Sequence, residues 1–191
     1  MTRCAVLYAT VEGHTAKVAQ YLAAALRGAG LEVDEFDASA LAPAFDSSSY
    51  ERALLCAPIH LGRYPDAIVE FARAHTAWLQ ESGAALVSVS LSAIGEDDED
   101  RANLATCIEH FGASSGWTPA TVEHVAGAFV FSQYPFFVRQ VMKLIARQHG
   151  LPTSGDHDYT DYARLDAFAR EFAEKGAKPA GLTTGSASRS R

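Results

Sequence analysis

Residues 4 to 9 read CAVLYA, six apolar positions in a row with no polar edge to give to water. A strand with that pattern has to be covered on both faces, which demands a sheet with layers above and below it. The pattern recurs. ERALLCAP (51–58) and AALVSVSLS (84–92) are further buried-strand runs, LEVDEFDA (31–38) alternates, and TPATVEHVAGAFV (118–130) reads as a fifth strand. Segments of helical period lie between them. Val18, Leu22 and Leu26 share one face of TAKVAQYLAAALRGAG, which Gly28 and Gly30 close. Ile68, Phe71, Ala72, His75 and Leu79 share a face from Asp66 to Leu79, with His75 read as a packing residue. Leu104, Cys107, Ile108 and Phe111 mark a helix after the fourth strand, and Leu165, Phe168, Ala169 and Phe172 mark the last one.

Strands alternating with helices fold as a parallel, doubly wound α/β sheet with helices on both faces. Five strands fit the flavodoxin-like order 2-1-3-4-5 better than a six-stranded dinucleotide fold. The 191 residues make one domain over 1–175, interrupted near the fifth strand by an insertion at about 129–158, FVFSQYPFFVRQVMKLIARQHGLPTSGDHD. The tail from 176 to 191 has linker composition and is expected to be disordered.

A net charge of -7 gives no global support to nucleic-acid binding. Cys4, Cys56 and Cys107 lie far apart without metal-ligand spacing and read as buried free thiols of a cytoplasmic protein. No metal site is expected; Asp156, His157 and Asp158 cluster only within a turn-rich stretch. The N-terminus has too short an apolar core for a signal peptide, and no run reaches transmembrane length.

In such a sheet, ligands bind beyond the carboxyl ends of the strands, where the strand order reverses. The turn TVEGHT leaves the first strand there. The following helix offers unpaired N–H groups and the positive end of its dipole, Gly13 lets the backbone approach an anion, and Thr10 and Thr15 add hydroxyls. This cradle suits a phosphate without a lysine or arginine, although a threonine that only caps the helix satisfies the same string. It is neither a nucleoside-triphosphate loop nor a GxGxxG loop. Two other loops meet it at that edge. In PIHLGRYP, Ile59, His60, Leu61 and Tyr64 can press on a flat ring while Gly62 admits the backbone. SLSAIG is small and polar, suited to the edge of a heterocycle. Together the three loops specify flavin mononucleotide (FMN).

VLYATVEGHTAKVAQYLAAAL resembles a flavodoxin phosphate-loop region. APIHLGRYPDAIVEFARAH, VAGAFVFSQYPFFVRQVMKLIA and DYTDYARLDAFAREFA extend the likeness over about residues 3–175 to the flavodoxin-like protoporphyrinogen oxidases, the menaquinone-dependent protoporphyrinogen IX dehydrogenases. The resemblance implies FMN as cofactor, oxidation of protoporphyrinogen IX to protoporphyrin IX in haem synthesis, and a quinone as electron acceptor. It also implies peripheral attachment to the inner face of the cell membrane; residues 134–149 read as a helix whose apolar face either packs on the domain or meets membrane, quinone or porphyrin. By the same likeness Thr10, Val11, Glu12, Gly13, His14 and Thr15 hold the phosphate. Pro58, Ile59, His60, Leu61, Gly62 and Tyr64 flank the ring on one side, and Ser90, Leu91, Ser92, Ala93 and Gly95 on the other. No side chain is assigned the chemistry, which is centred on the flavin; His60 and Arg63 are candidate substrate or flavin contacts. Two alternatives stay open. The acidic run EDDED (96–100) would disfavour an anionic reduced flavin and repel propionates, as suits a flavodoxin-type electron carrier without its own substrate. A domain of this fold that has lost its flavin would be a binding module.

Overall fold

Strand β1 (Arg3–Tyr8) lies between β2 (Glu32–Asp37) and β3 (Arg52–Pro58), with β4 (Ala85–Ser90) beside β3 and β5 (Thr121–Ala126) at the far edge. All four pairings are parallel, so the order is the expected 2-1-3-4-5. The computed structural model describes residues 1–41, 45–94, 98–130 and 156–175. Helices α1 (His14–Gly28) and α5 (Tyr162–Lys175) cover one face of the sheet. Helices α2 (Asp66–Ala74), α3 (Thr76–Glu81) and α4 (Asp98–Ser115) cover the other.

Alternation along the strands divides the core accordingly. Cys4, Val6, Leu54, Cys56 and Val87 pack under Val18, Leu22, Leu165 and Phe168, whereas Ala5, Leu7, Leu55 and Leu86 pack against Ile68, Phe71, Phe111 and Trp117. The apolar runs of β1, β3 and β4 are explained by this double covering. All three cysteines are free and buried. Arg52, at the start of β3, is buried against Phe172 near the end of α5.

Two elements depart from the expected boundaries. The helix read from Asp66 to Leu79 divides at His75, whose backbone leaves the helical region with φ -122°. The hydroxyl of Thr76 donates to the Ala72 carbonyl at 2.9 Å, closing the first helix locally. His75 itself packs 4.5 Å from the Phe71 ring centroid. The fifth strand, read as continuous over 118–130, stops at Ala126. There the Gly127 N–H turns to the Ser90 carbonyl at 3.0 Å, and a Cβ at this glycine would come within 3.6 Å of the Ser90 backbone.

Beyond Gly127 the chain forms β6 (Ala128–Val130), antiparallel to β7 (Asp156–Asp158), with Val130 opposite Asp156. The insertion is thus rooted in a two-stranded hairpin. Residues 131–155, including the helix read over 134–149, and the tail 176–191 lie outside the described residues. No helix among the described residues is long and apolar enough to cross a membrane.

Candidate functional site

Three hydrogen bonds beyond the strand ends lace the loops together. Ala9 N–H donates to the Cys56 carbonyl (3.0 Å), Ile59 N–H to the Val89 carbonyl (2.8 Å), and Gly127 N–H to the Ser90 carbonyl (3.0 Å). The loops after β1, β3, β4 and β5 therefore leave the sheet side by side. Between them lies a cavity of about 560 Å³, within the size range of cofactor sites.

The first wall is the turn after β1. Gly13 sits just ahead of α1 with φ +83°, a conformation that strains a residue with a Cβ, and donates its N–H to Thr10 Oγ1 at 2.9 Å. No side chain caps the helix and no acid lies in its first turn, so its leading N–H groups and dipole remain available to an anion. Thr10, Val11, Glu12, His14 and the buried Thr15 border the cavity.

His14 is held from outside its own loop. Its Nε2 lies 2.9 Å from Thr160 Oγ1 and 3.7 Å from Asp158 Oδ1. Thr160 also donates its hydroxyl to the Ala126 carbonyl at 3.0 Å. Burial lowers the pKa of His14; Asp158 opposes that shift and Lys17 adds to it. Burial alone would raise Asp158, but hydrogen bonds from the Thr160 N–H and the Tyr162 hydroxyl outweigh it and keep the carboxyl below its ordinary value.

The second wall is a tight turn. His60 and Arg63 exchange backbone hydrogen bonds at 2.9 and 3.1 Å around Leu61 (φ +51°) and Gly62 (φ +74°). Pro58, Ile59, His60, Leu61 and Gly62 border the cavity, with Leu61 90% exposed at the tip. The thiol of Cys107 on α4 donates to the Gly62 carbonyl at 3.4 Å, tying this turn to the helix behind it. On the third wall Ser90, Leu91 and Ser92 border the cavity, and Ser90 Oγ accepts the Ala93 N–H at 3.2 Å to close a short helical turn.

Three of the expected residues lie elsewhere, and a fourth falls outside the described residues. Tyr64 does not face the cavity: the tight turn reverses the chain, and Tyr64 is buried with its hydroxyl donated to Ser88 Oγ at 2.8 Å and its ring 5.0 Å from Phe111. Ala93 borders a separate cavity of about 260 Å³ beside His124 and Tyr159. Arg63 is exposed and off the lining of the main cavity, and Gly95 lies outside the described residues. A whole wall was also missed. Asn103, Thr106 and His110 of α4 border the cavity together with Leu104 and Cys107. Their spacing at i, i+3 and i+7 is a polar stripe on one helical face, a signal present in the sequence beside the apolar one.

Comparison with known proteins agrees with this architecture. The flavodoxin domain family matches residues 5–156. The Escherichia coli (strain K12) protein named protoporphyrinogen IX dehydrogenase [quinone] is 29% identical over 177 residues, 91% of this chain and 96% of its own. A Leishmania major protein of the same name is 29% identical over 179 residues, 90% of this chain and 74% of its own. Among solved structures, a short-chain flavodoxin associated with a bacterial microcompartment superposes with a TM-score of 0.56 at 17% identity, covering 93% of this chain and all of that one. A flavin is the ligand that the flavodoxin domain implies. By the match over most of its length and by its strand order, the chain belongs to the flavodoxin domain family.

Proposed function

We propose that the chain is an FMN-dependent oxidoreductase that converts protoporphyrinogen IX to protoporphyrin IX and passes the electrons to a quinone. The carrying observation is the cavity at the strand-order reversal, walled by an uncapped helix N-terminus on one side and an exposed apolar turn on the other. The residues fit FMN. The turn Thr10–Thr15 suits the phosphate, with Gly13 shaping the backbone and the Thr10 hydroxyl fixing it. Ile59, Leu61 and Leu104 give the cavity apolar surface for a flat ring, while Ser92, Asn103 and Thr106 offer polar groups at its margin. When bound, the flavin supplies the two-electron chemistry, and each porphyrinogen needs three such oxidations. The protein's share is to orient the ring, exclude water beneath it and leave the Leu61 side open to a second reactant.

Relatives covering nine-tenths of this chain carry the dehydrogenase name, which supports the enzyme over the carrier. A lipid-soluble acceptor requires work at a membrane surface, so the proposal includes peripheral contact from the cytoplasmic side through residues 134–149. The test is an anaerobic titration of the FMN-loaded protein with protoporphyrinogen IX, following the flavin's blue absorbance band. Bleaching that a quinone reverses is the expected result. A spectrum that stays yellow, in protein still reducible by dithionite, would leave the electron carrier.

A further inference from the structure

Among the described residues that line the cavity there is no lysine or arginine, and Glu12 adds a carboxylate to the phosphate turn. A phosphate dianion entering that turn therefore meets, among the described residues of the lining, backbone dipoles and hydroxyls but no permanent cation. One side chain in the turn can become a cation, and that is His14.

The hydrogen bonds around His14 assign its tautomer. Thr160 has one hydroxyl hydrogen and gives it to the Ala126 carbonyl, so Thr160 Oγ1 is left to accept at 2.9 Å. Nε2 of His14 must then carry a hydrogen. The nitrogen free to gain or lose a proton is then Nδ1, on a side chain that borders the cavity at the first position of α1.

The charges that act on the ring come from two elements, β7 and α1. Asp158 on β7 lies 3.7 Å from Nε2. Lys17 on α1 reaches Asp158 at 3.6 Å, and Glu12 precedes the helix in the turn itself. Tyr162 at the start of α5 donates to Asp158 at 2.8 Å. Burial favours the neutral imidazole, and the hydrogen bonds to Asp158 favour its ionised form. A dianion on the other side would place the ring between two negative groups, reversing the balance.

We propose that His14 distinguishes phosphorylated from unphosphorylated flavin by taking up one proton at Nδ1 from solvent when the phosphate docks, supplying the cation that the turn otherwise lacks. Thr160 and Asp158 are positioning residues. They hold the ring in one tautomer and bring the far end of the insertion to bear on the phosphate turn. The inference rests on the FMN reading and specifies how that cofactor is selected.

Calorimetric titration of the apoprotein with FMN, in buffers of different ionisation enthalpy between pH 6.5 and 8, counts the protons exchanged. The expected peak is an uptake of about one proton, with FMN affinity falling as pH rises through the window. Riboflavin, the same ring and chain without phosphate, should bind with no uptake. FMN's own phosphate can only release a proton on binding as the dianion, the opposite sign. His14→Gln, which keeps a donor for Thr160, should abolish the uptake and narrow the preference for FMN over riboflavin by about tenfold. Asp158→Asn should shrink the uptake without abolishing FMN binding. FMN bound tightly by the wild-type protein with no proton uptake overturns this inference alone, whatever the variants do. So does an equal uptake in a folded His14→Gln protein. Failure of both flavins to bind would overturn the FMN reading and this inference with it.

Discussion

The guanidinium of Arg52 lies 4.0 Å over the ring of Phe172 and donates from Nη2 to the Phe172 carbonyl at 3.1 Å. That carbonyl belongs to the last turn of α5, so Arg52 meets the helix end from the start of β3. The fit is incomplete, because Arg52 Nε is buried without a partner and burial lowers the residue's pKa. Arg52→Ala should destabilise the protein by about 2–3 kcal/mol through the lost carbonyl partner and ring contact. Arg52→Met, which refills the volume and removes the buried charge, should lose under about 1 kcal/mol. Urea unfolding of the two variants checks the difference.

Gly13 and Thr10 set the phosphate turn. A Cβ at Gly13 would meet no atom within 4 Å, so the penalty of Gly13→Ala is conformational, about 1 kcal/mol. Thr10→Val leaves the shape but removes the acceptor for the Gly13 N–H. Both variants should stay folded and bind FMN at least about tenfold more weakly, as read by recovery of flavin fluorescence.

Leu61 is strained and exposed at once. Leu61→Gly should raise the urea midpoint of the apoprotein, by up to about 1 kcal/mol in stability, while weakening flavin binding by removing apolar rim. Opposite signs in the two measurements are the expected outcome. A variant that is less stable would refute the strain argument.

Burial raises all three thiols, Cys4 to about 12. Thiolate reagents at pH 8 should therefore react slowly with the native protein. Cys107, which borders the cavity, should be the first to react, and FMN should slow it selectively. Mass mapping of the labelled peptides decides this.

Histidine burial sets the pH profile of the apoprotein. His14, His75 and His124 are all shifted below 6.5, with burial the leading cause in each. The unfolded chain then binds more protons, so this stability is full above pH 6.5 and is lost as pH falls through that value. Asp158, whose folded pKa is depressed below 3.8, contributes a second loss at lower pH, as its own folded value is crossed. A urea midpoint that declines between pH 7 and 5, and declines less in a triple His→Gln variant, is the expected result.

The sheet was legible because doubly covered strands advertise themselves as unbroken apolar runs, as CAVLYA and ALLCAP do. The break at Gly127 was not, because β5 and β6 abut in one apolar stretch and only the Ser90 carbonyl separates them. At the site, the loops were legible from their position after strands. Tyr64 was misread because a two-residue turn, invisible in the apolar pattern, sends it inward. The α4 wall was not legible because the polar stripe of Asn103, Thr106 and His110 runs beside the stronger apolar stripe of Leu104, Cys107 and Phe111 on the same helix.

The pairing of Val130 with Asp156 brings both ends of residues 131–155 to adjacent places on a ladder. The cost of closing that ladder therefore depends only weakly on how much chain runs between the two positions, since the entropy of closing a loop grows logarithmically with its length. These 25 residues are in effect a cartridge. Loop-closure entropy alone sets little limit on their length, while the phosphate turn and its histidine are anchored by residues on either side of them. Evolution could in this way change what the flavin reacts with without redesigning how the flavin is held.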